Sequence, residues 1–318
     1  MIGLGFIYVL MGLLVGGVAV LNLRDRTQAK RWGSAVFWGI YAATFLFGGR
    51  LPPLAVGTMV IGMALLAGLG ALAPGRGVGA SAEERQAGAR RWGNRLFVPA
   101  LLIPALTVLG TLTLKTATLN GRPLVDVKQV TLISLGLATL VALAVGMAML
   151  RPPPLAPMHE ARRLLDTVGW AAVLPQMLAA LGALFALAGV GKVVSALATQ
   201  YIPLESLLVC VVTYTVGMAL FTMLMGNAFA AFPVMTAGIA LPLLVHRFGG
   251  NPAAVCAVGM LSGFCGTLMT PMAANFNIVP AALLELKDEN GVIKAQVPTA
   301  LILLAVNTAL MYFLAFPR

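Results

Sequence analysis

The sequence predicts an all-α, polytopic membrane protein. Of its 318 residues, 60% are hydrophobic and only 10% are charged, whereas a soluble domain carries about 25% charged residues. Several apolar stretches reach the roughly 20 residues that a helix needs to cross a bilayer. Because the backbone has to satisfy its own hydrogen bonds there, we expect these stretches to be helices. The pattern predicts about seven spanning helices, together with a helical hairpin and one discontinuous helix.

The first half of the chain, residues 1–150, is predicted to form a five-span scaffold. The spans are expected at Ile2–Leu23, Gly33–Gly49, Pro53–Ala73, Leu96–Leu114 and Val130–Leu150. The N-terminus has no basic region before its apolar run and no cleavage site, so we expect a retained span instead of a signal peptide. Residues 151–167 are predicted to be a proline-rich cytoplasmic linker that can end in a short interfacial helix.

The basic residues indicate the orientation of the chain in the membrane. The connections after the first, third and fifth predicted spans carry many more Lys and Arg residues than those after the second and fourth. Basic connections stay in the cytoplasm, so we expect the N-terminus to lie outside. These short connections account for the net charge of +11, and nucleic-acid binding is not expected.

The second half, residues 168–318, follows a different order of elements. We expect a sixth span at Val168–Val190, a surface amphipathic helix at Gly191–Pro203, a hairpin at Leu204–Val245, a broken helix at Pro252–Leu284 and a last span at Val297–Phe316. The hairpin segment is too long for one crossing at about 1.5 Å per residue, and "GNAFAAFP" (Gly226–Pro233) interrupts it. Two alternatives stay open, since this hairpin can be re-entrant or can form two full spans.

Two segments in this half place polar and helix-breaking residues at membrane depth. One is "GNAFAAFP", and the other is "CGTLMTPMAANFN" (Cys265–Asn277). Their prolines cannot donate a backbone hydrogen bond, and their glycines allow an open backbone. Irregular backbone within a membrane survives only where protein buries it or where it lines a wet cavity. These residues could merely kink two packed helices, but two neighbouring breaks with amide side chains favour a binding site.

The predicted binding residues lie in or beside these two breaks. They are Gly226, Asn227, Gly266, Thr267, Thr270, Pro271, Asn275 and Asn277. Freed N–H groups at helix N-termini favour an anion, whereas carbonyls, hydroxyls and amides suit Na⁺, which we expect near Asn227 and Asn275. Neither break contains an Asp, Glu, Lys or Arg, and a proton relay usually needs an ionisable group. We therefore favour Na⁺ over H⁺ as the coupling ion, unless another chain supplies the coupling residues.

The sequence does not indicate an enzyme, a cofactor or a resident metal. Cys210, Cys256 and Cys265 lie in apolar runs without CxxC spacing, so we expect them to pack as small hydrophobic residues. His159 and His246 have no neighbours in the sequence that suggest metal binding or catalysis. A membrane enzyme would need a nucleophile, paired carboxylates or a histidine cluster.

Two long motifs carry a resemblance to a known family. They are "GNAFAAFPVMTAGIALPLL" and "GMLSGFCGTLMTPMAANFNIVPAALLELKDENGVIKAQ". They resemble a family of bacterial inner-membrane proteins, formerly of unknown function, that genomic context identifies as one subunit of a 5-oxoproline (pyroglutamate) transporter. The resemblance implies a multi-pass protein of the bacterial cytoplasmic (inner) membrane, paired with a second, smaller membrane protein encoded nearby.

The order of elements from Val168 onward also resembles one repeat of the ion transporter superfamily, which includes divalent anion/sodium symporters with an elevator-type fold. This resemblance implies that Gly226–Asn227 is the tip of a hairpin and that Thr267–Asn277 is the unwound centre of the facing helix. The tip here reads Gly-Asn-Ala, where the symporters have a Ser/Asn/Thr triplet. Fewer side chains are therefore available for Na⁺ at this tip.

The sequence contains one copy of the hairpin and broken helix, whereas such transporters need two inverted repeats. The chain is therefore predicted to supply half of a transporter, completed by the second membrane subunit or by a second copy of itself. We expect a secondary transporter subunit, a symporter for a small organic anion, with 5-oxoproline as the candidate substrate. The alternatives are a non-transporting scaffold or assembly subunit of a transport complex, and a membrane enzyme.

Overall fold

The computed structural model describes residues 3–73, 82–119, 122–201, 205–284 and 286–316. Its contacts divide the chain into two compact units, Met1–Gly169 and Trp170–Arg318. Within the described residues, seven helices are long and apolar enough to cross a membrane. They are Leu4–Arg24, Gln86–Leu114, Val127–Leu150, Ala156–Phe185, Leu207–Met225, Ala228–Arg247 and Gly291–Leu314. The prediction of an all-α, multi-pass membrane protein is confirmed.

The first unit is built from helices α1 to α7. They are α1 (Leu4–Arg24), α2 (Arg31–Phe47), α3 (Pro53–Gly68), α4 (Ala82–Trp92), α5 (Phe97–Leu114), α6 (Val130–Leu150) and α7 (Ala156–Val168). The 3₁₀ turns Gly93–Leu96 and Val127–Gln129 lead into α5 and α6. Two short strands, β1 (Thr118–Leu119) and β2 (Arg122–Pro123), pair antiparallel between α5 and α6. Helix α1 packs against α2, and α5 packs against α6.

Two of the predicted spans are short helices in the structure, and α3 ends at Gly68, before the predicted end at Ala73. Helix α2 has 17 residues and α3 has 16, and neither is among the seven long helices. Gly48 and Gly49 follow α2, and Gly70, with a positive φ of 66°, follows α3. The set of seven instead includes the two arms of the hairpin, which the sequence prediction counted separately from its seven spans.

Helix α7, which the sequence assigns to the cytoplasmic linker, carries a buried polar cluster. Asp166 Oδ1 accepts hydrogen bonds from Asn22 Nδ2 at 2.9 Å and from Trp38 Nε1 at 2.8 Å. Arg162 donates to Asn22 Oδ1 at 2.9 Å and to Asp25 Oδ2 at 2.7 Å. We call these five side chains the α7 cluster. Since its partners belong to α1, its C-cap and α2, the cluster fixes the predicted linker to the first two helices.

The second unit follows a 3₁₀ turn at Gly169–Val173 and contains helices α8 to α14. They are α8 (Leu174–Leu187), α9 (Val190–Tyr201), α10 (Leu207–Met225), α11 (Ala228–Met235), α12 (Pro252–Thr267), α13 (Ile278–Leu283) and α14 (Gly291–Leu314). A π-helix, Thr236–Arg247, continues α11. Gly169 and Gly189 adopt positive φ angles of 54° and 71° on either side of α8. The long apolar segment Ala156–Phe185 therefore consists of α7, the 3₁₀ turn and most of α8.

Some predicted boundaries lie outside the described residues. They are Ile2, the connection from Gly75 to Ser81, Pro203 and Leu204. The described part of the predicted amphipathic helix is α9.

The hairpin consists of α10, a turn at Gly226–Asn227, and α11 with its π-helical continuation. Its arms have 19 and 20 residues, and each is long and apolar enough to cross a membrane. The following helix is discontinuous, because residues 268–277 form turns between α12 and α13. Helix α12 packs on α10, so the end of α12 lies beside the end of α10.

Candidate functional site

The hairpin tip requires a glycine for two independent reasons. Gly226 closes α10 in the left-handed region, with a φ of 72°, and its N–H donates to Thr222 O at 2.7 Å. A Cβ atom at this position would lie 2.5 Å from Met272 O. Because only glycine combines a positive φ with so close an approach, the sequence at Gly226 allows the tip to touch the unwound stretch.

Asn227 follows the glycine and begins α11. Its backbone is extended, and its Oδ1 accepts a hydrogen bond from Phe229 N at 2.7 Å. This is N-capping, in which a side-chain oxygen satisfies an N–H of the first helical turn. The side-chain oxygen is therefore used within the hairpin, and the amide nitrogen is the group that Asn227 can offer to a solute.

The unwound stretch is held together by a second asparagine. Asn277 is fully buried, and its Nδ2 donates to Thr267 O at 2.8 Å and to Thr270 O at 2.7 Å. A helix end leaves carbonyls without partners inside the helix, and Asn277 satisfies such groups where α12 stops. Its Oδ1 is buried without a partner among the described residues. A buried acceptor in that state can bind a cation or a donor from a solute.

Thr270 joins the unwound stretch to the hairpin. Its Oγ1 donates to Met223 O at 3.0 Å and accepts from Met272 N at 3.2 Å. Thr267, which is also buried, donates from its Oγ1 to Phe264 O at 2.6 Å. Both hydroxyl groups therefore donate to carbonyls of the chain itself.

The remaining predicted residues differ in their environment. Gly266 faces the backbone of α10, because a Cβ atom there would collide with Ala219 O. Pro271 is exposed, and Asn275 is half-buried. Gly226 thus contacts the unwound stretch, whereas Gly266 and Thr270 contact α10. Within the described residues, Asn227 and Asn275 share no hydrogen-bonding partner with the other predicted residues.

One buried threonine beside the site, Thr222, is not among the residues predicted from the sequence. Thr222 lies one turn before the tip, is fully buried, and has no described partner for its Oγ1. A Cβ atom on Gly263 of α12 would lie 3.3 Å from that oxygen, so the hydroxyl faces the α10–α12 contact. The spacing of four residues between Thr222 and Gly226 is the signal that could have identified it, since such residues share a helix face.

A row of three aromatic rings connects the hairpin, α12 and the unwound stretch. Phe229 and Phe264 have ring centroids 5.8 Å apart, and Phe264 and Phe276 have centroids 6.4 Å apart. Phe229 is 59% exposed and Phe276 is 43% exposed, so both leave ring surface for another molecule. The signals of this row in the sequence are a phenylalanine two residues after Asn227 in "GNAF" and one between the two asparagines of "NFN".

The electrostatics of the site come from helix ends and not from side-chain charges. Helices α10 and α12 both end here, and helix C-termini carry partial negative charge, whereas α11 begins here with partial positive charge. The N-terminus of α11 and the amide of Asn227 suit an anion, while Asn277 Oδ1 and the freed carbonyls suit a cation. Among the described residues, no group of three or more His, Cys, Asp or Glu side chains converges to hold a metal ion.

Comparison with known proteins gives one match. A family model described as "Protein of unknown function (DUF979)" matches residues 5–316. No curated protein and no solved structure matches the chain. Since the matched region covers both units and the two breaks, the chain belongs to the DUF979 family.

Proposed function

We propose that the protein is a secondary transporter subunit of the bacterial inner membrane that binds a small organic anion between the hairpin tip and the unwound stretch. The observation that carries this proposal is the contact between the two breaks, which meet at Gly226 and Met272 and are joined by the Thr270–Met223 hydrogen bond. Broken helices that meet within the membrane are the usual site of substrate and ions in secondary transporters. The N-terminus lies outside in this proposal, as the basic connections indicate.

The donors at the tip support an anionic substrate. The N-terminus of α11 presents N–H groups with partial positive charge, and the Asn227 amide nitrogen lies beside it. A carboxylate accepts from several donors at once. The exposed faces of Phe229 and Phe276 provide apolar surface for a small ring. 5-Oxoproline combines one carboxylate with a compact lactam ring, so it fits both features.

The coupling ion in this proposal is Na⁺, with H⁺ as the alternative. The segment from Cys265 to Asn277 contains no ionisable carboxylate or amine, and proton relays usually need such a group in the membrane. Asn227 uses its oxygen as a helix cap, so we place the cation nearer to Asn277 Oδ1, the buried acceptor without a described partner.

A second membrane subunit, or a second copy of the chain, completes the transporter. The described residues contain one hairpin with a facing broken helix, whereas transporters of this kind use two such repeats. The alternative function is a non-transporting assembly subunit. It is favoured by one observation, that Thr267, Thr270 and Asn277 donate to carbonyls of the chain itself.

Uptake of labelled 5-oxoproline into membrane vesicles tests the proposal. The vesicles would contain the chain together with the membrane protein encoded beside it, with and without a Na⁺ gradient. The informative variant is Asn227→Asp, because aspartate caps a helix as well as asparagine does but offers no amide donor to a carboxylate. We expect uptake to fall about tenfold or more, since a hydrogen bond to a charged group contributes about 1.5–3 kcal/mol.

The matched control is Asn251→Asp, at the cap of α12, where Asn251 Oδ1 accepts from Ala253 N at 2.9 Å. We expect this variant to transport normally. Normal uptake by the Asn227→Asp variant would show that the hairpin tip is not part of the substrate site. Uptake by the partner protein alone would favour the assembly subunit.

A further inference from the structure

A mostly apolar groove runs between α5 and α6 in the first unit. It encloses about 590 Å³ and reaches from Ile103 and Thr139 to Leu96 and Leu150, where α5 begins and α6 ends. Its wall also includes Gly146 of α6. The size is within the usual range for small-molecule sites, roughly 300–1,000 Å³.

The few polar groups in the wall already have partners. Thr139 Oγ1 donates to Gly136 O at 2.8 Å. The carboxylate of Glu160, at the end near α7, pairs with Arg163 Nε at 2.7 Å. The wall therefore favours a hydrocarbon chain over a polar solute, because a polar solute would lose its hydration there without gaining hydrogen bonds.

The length of the groove matches one leaflet of the bilayer. From Thr139 to Leu150, α6 rises about 16 Å at about 1.5 Å per residue. The hydrocarbon core is about 30 Å thick, so one leaflet occupies about half of that. A spanning helix of a partner protein would contact α5 and α6 over the full thickness, whereas an acyl chain ends at the midplane.

Two arginines lie at the end of the groove that Leu96 and Leu150 form. Arg95 directly precedes Leu96, and Arg151 lies between Leu150 and Pro152, which all line the groove. Both arginines are exposed. Arg151 caps α6 with a φ of 50°, a conformation in which glycine is the ordinary residue. The structure thus places a cationic side chain at a position where the backbone favours glycine.

We propose that this groove binds an anionic phospholipid, with one acyl chain between α5 and α6 and the phosphate between Arg95 and Arg151. The lipid comes from the leaflet on the side of the arginine-rich connections, which is the cytoplasmic leaflet. Basic pockets between spanning helices on that side of a membrane are suited to anionic headgroups. The site belongs to the first unit and is independent of the proposed solute site.

Native mass spectrometry of the full-length protein tests the proposal, after delipidation in detergent and incubation with equal amounts of phosphatidylglycerol and phosphatidylcholine. We expect bound phosphatidylglycerol to exceed bound phosphatidylcholine. Gly146→Leu fills the groove, because a Cβ atom at Gly146 meets Pro99 only at 3.9 Å and the side chain extends into open space. We expect this variant to lose most of the bound lipid. Gly62→Leu is the matched control, since nothing lies within 4 Å of a Cβ atom at Gly62 on α3.

The headgroup contact is tested with Arg151→Gly and Arg95→Gln. Each should weaken phosphatidylglycerol binding about fivefold, because one Lys or Arg near an anionic membrane surface contributes about 1 kcal/mol. Arg151→Gly should at the same time raise the thermal midpoint without lipid, because glycine adopts the positive φ freely. Three results would each overturn the proposal. They are equal binding of the two lipids, unchanged lipid binding by Gly146→Leu, and an equal loss of bound lipid in Gly146→Leu and Gly62→Leu.

Discussion

Asn277 holds the end of α12 in place through its amide nitrogen, which donates to Thr267 O and Thr270 O. The bilayer core offers no water to satisfy such carbonyls. One buried amide therefore satisfies two backbone groups of the break. Asn275, two residues earlier, is half-buried and is accessible to a ligand. The amide nitrogen of Asn277 is thus used within the chain, whereas the side chain of Asn275 is accessible.

We expect Asn277→Ala to lower the free energy of unfolding by about 2–6 kcal/mol, because it leaves two buried carbonyls unpaired and each costs about 1–3 kcal/mol. Asn275→Ala should leave stability nearly unchanged but reduce 5-oxoproline uptake. Thermal unfolding in detergent measures the first effect, and vesicle uptake measures the second. Equal thermal midpoints for the two variants would contradict the assignment.

The glycine at the hairpin tip can be tested against a second glycine with the same backbone angle. Gly226 and Gly189 have φ values of 72° and 71°, but nothing lies within 4 Å of a Cβ atom at Gly189. Gly189→Ala should cost only the left-handed strain, about 1–2 kcal/mol. Gly226→Ala should cost more, because the methyl group also meets Met272 O. If denaturant titration finds the same loss of unfolding free energy for both variants, the tip does not contact the unwound stretch closely.

At the scale of elements, the charged side chains of α7 attach this helix to α1 and α2. From the sequence alone they were expected to lie in a linker exposed to water. Arg162 is the central residue of the α7 cluster, and its neighbours Asn22 and Asp25 lie about 140 residues away along the chain. Hydrogen bonds from Thr27 and Arg162 lower the pKa of Asp25 to about 2. This carboxylate therefore stabilises the fold above its unfolded pKa of about 3.8, and that contribution is lost as the pH falls from there toward 2.

Adjacent arginines of α7 provide a matched pair of variants. Arg162→Ala should lower the free energy of unfolding by about 3–5 kcal/mol, because it leaves two carboxylates in the cluster without their cation. Arg163→Ala removes only an exposed pair with Glu160 and should cost at most about 1 kcal/mol. Chemical denaturation of the two purified proteins compares them. A loss of similar size in both would mean that α7 is held by its apolar residues alone.

At the scale of the whole molecule, composition predicts the class of protein and the positions of both breaks. "GNAFAAFP" and "CGTLMTPMAANFN" stand out because polar residues are costly at membrane depth, and the chain does leave regular helix at Gly226–Asn227 and at residues 268–277. Helix lengths were less predictable. Hydropathy extends a span across Gly169 and Gly189, whereas their positive φ angles end the helix there.

The α7 cluster and the π-helix were not predictable from the sequence. Asn22 and Asp166 look like the end of a span and part of a loop until the fold brings them within 2.9 Å. The π-helix at Thr236–Arg247 contains Pro242, which disturbs an α-helix but does not by itself specify π-helical geometry. Such features depend on contacts between distant parts of the chain, which periodicity along one element does not encode.

Helix α9 touches the second arm of the hairpin backbone to backbone. A Cβ atom at Gly238 would lie 2.5 Å from Gly191 O, and one at Gly191 would lie 3.0 Å from Val234 O. The preceding helix does the same, since a Cβ atom at Gly182 would lie 3.0 Å from the Cα of Ala230. Close-packed backbones do not slide past each other without separating. Any displacement of the tip would therefore carry α8 and α9 with it, so the hairpin and the two helices before it would move as one body.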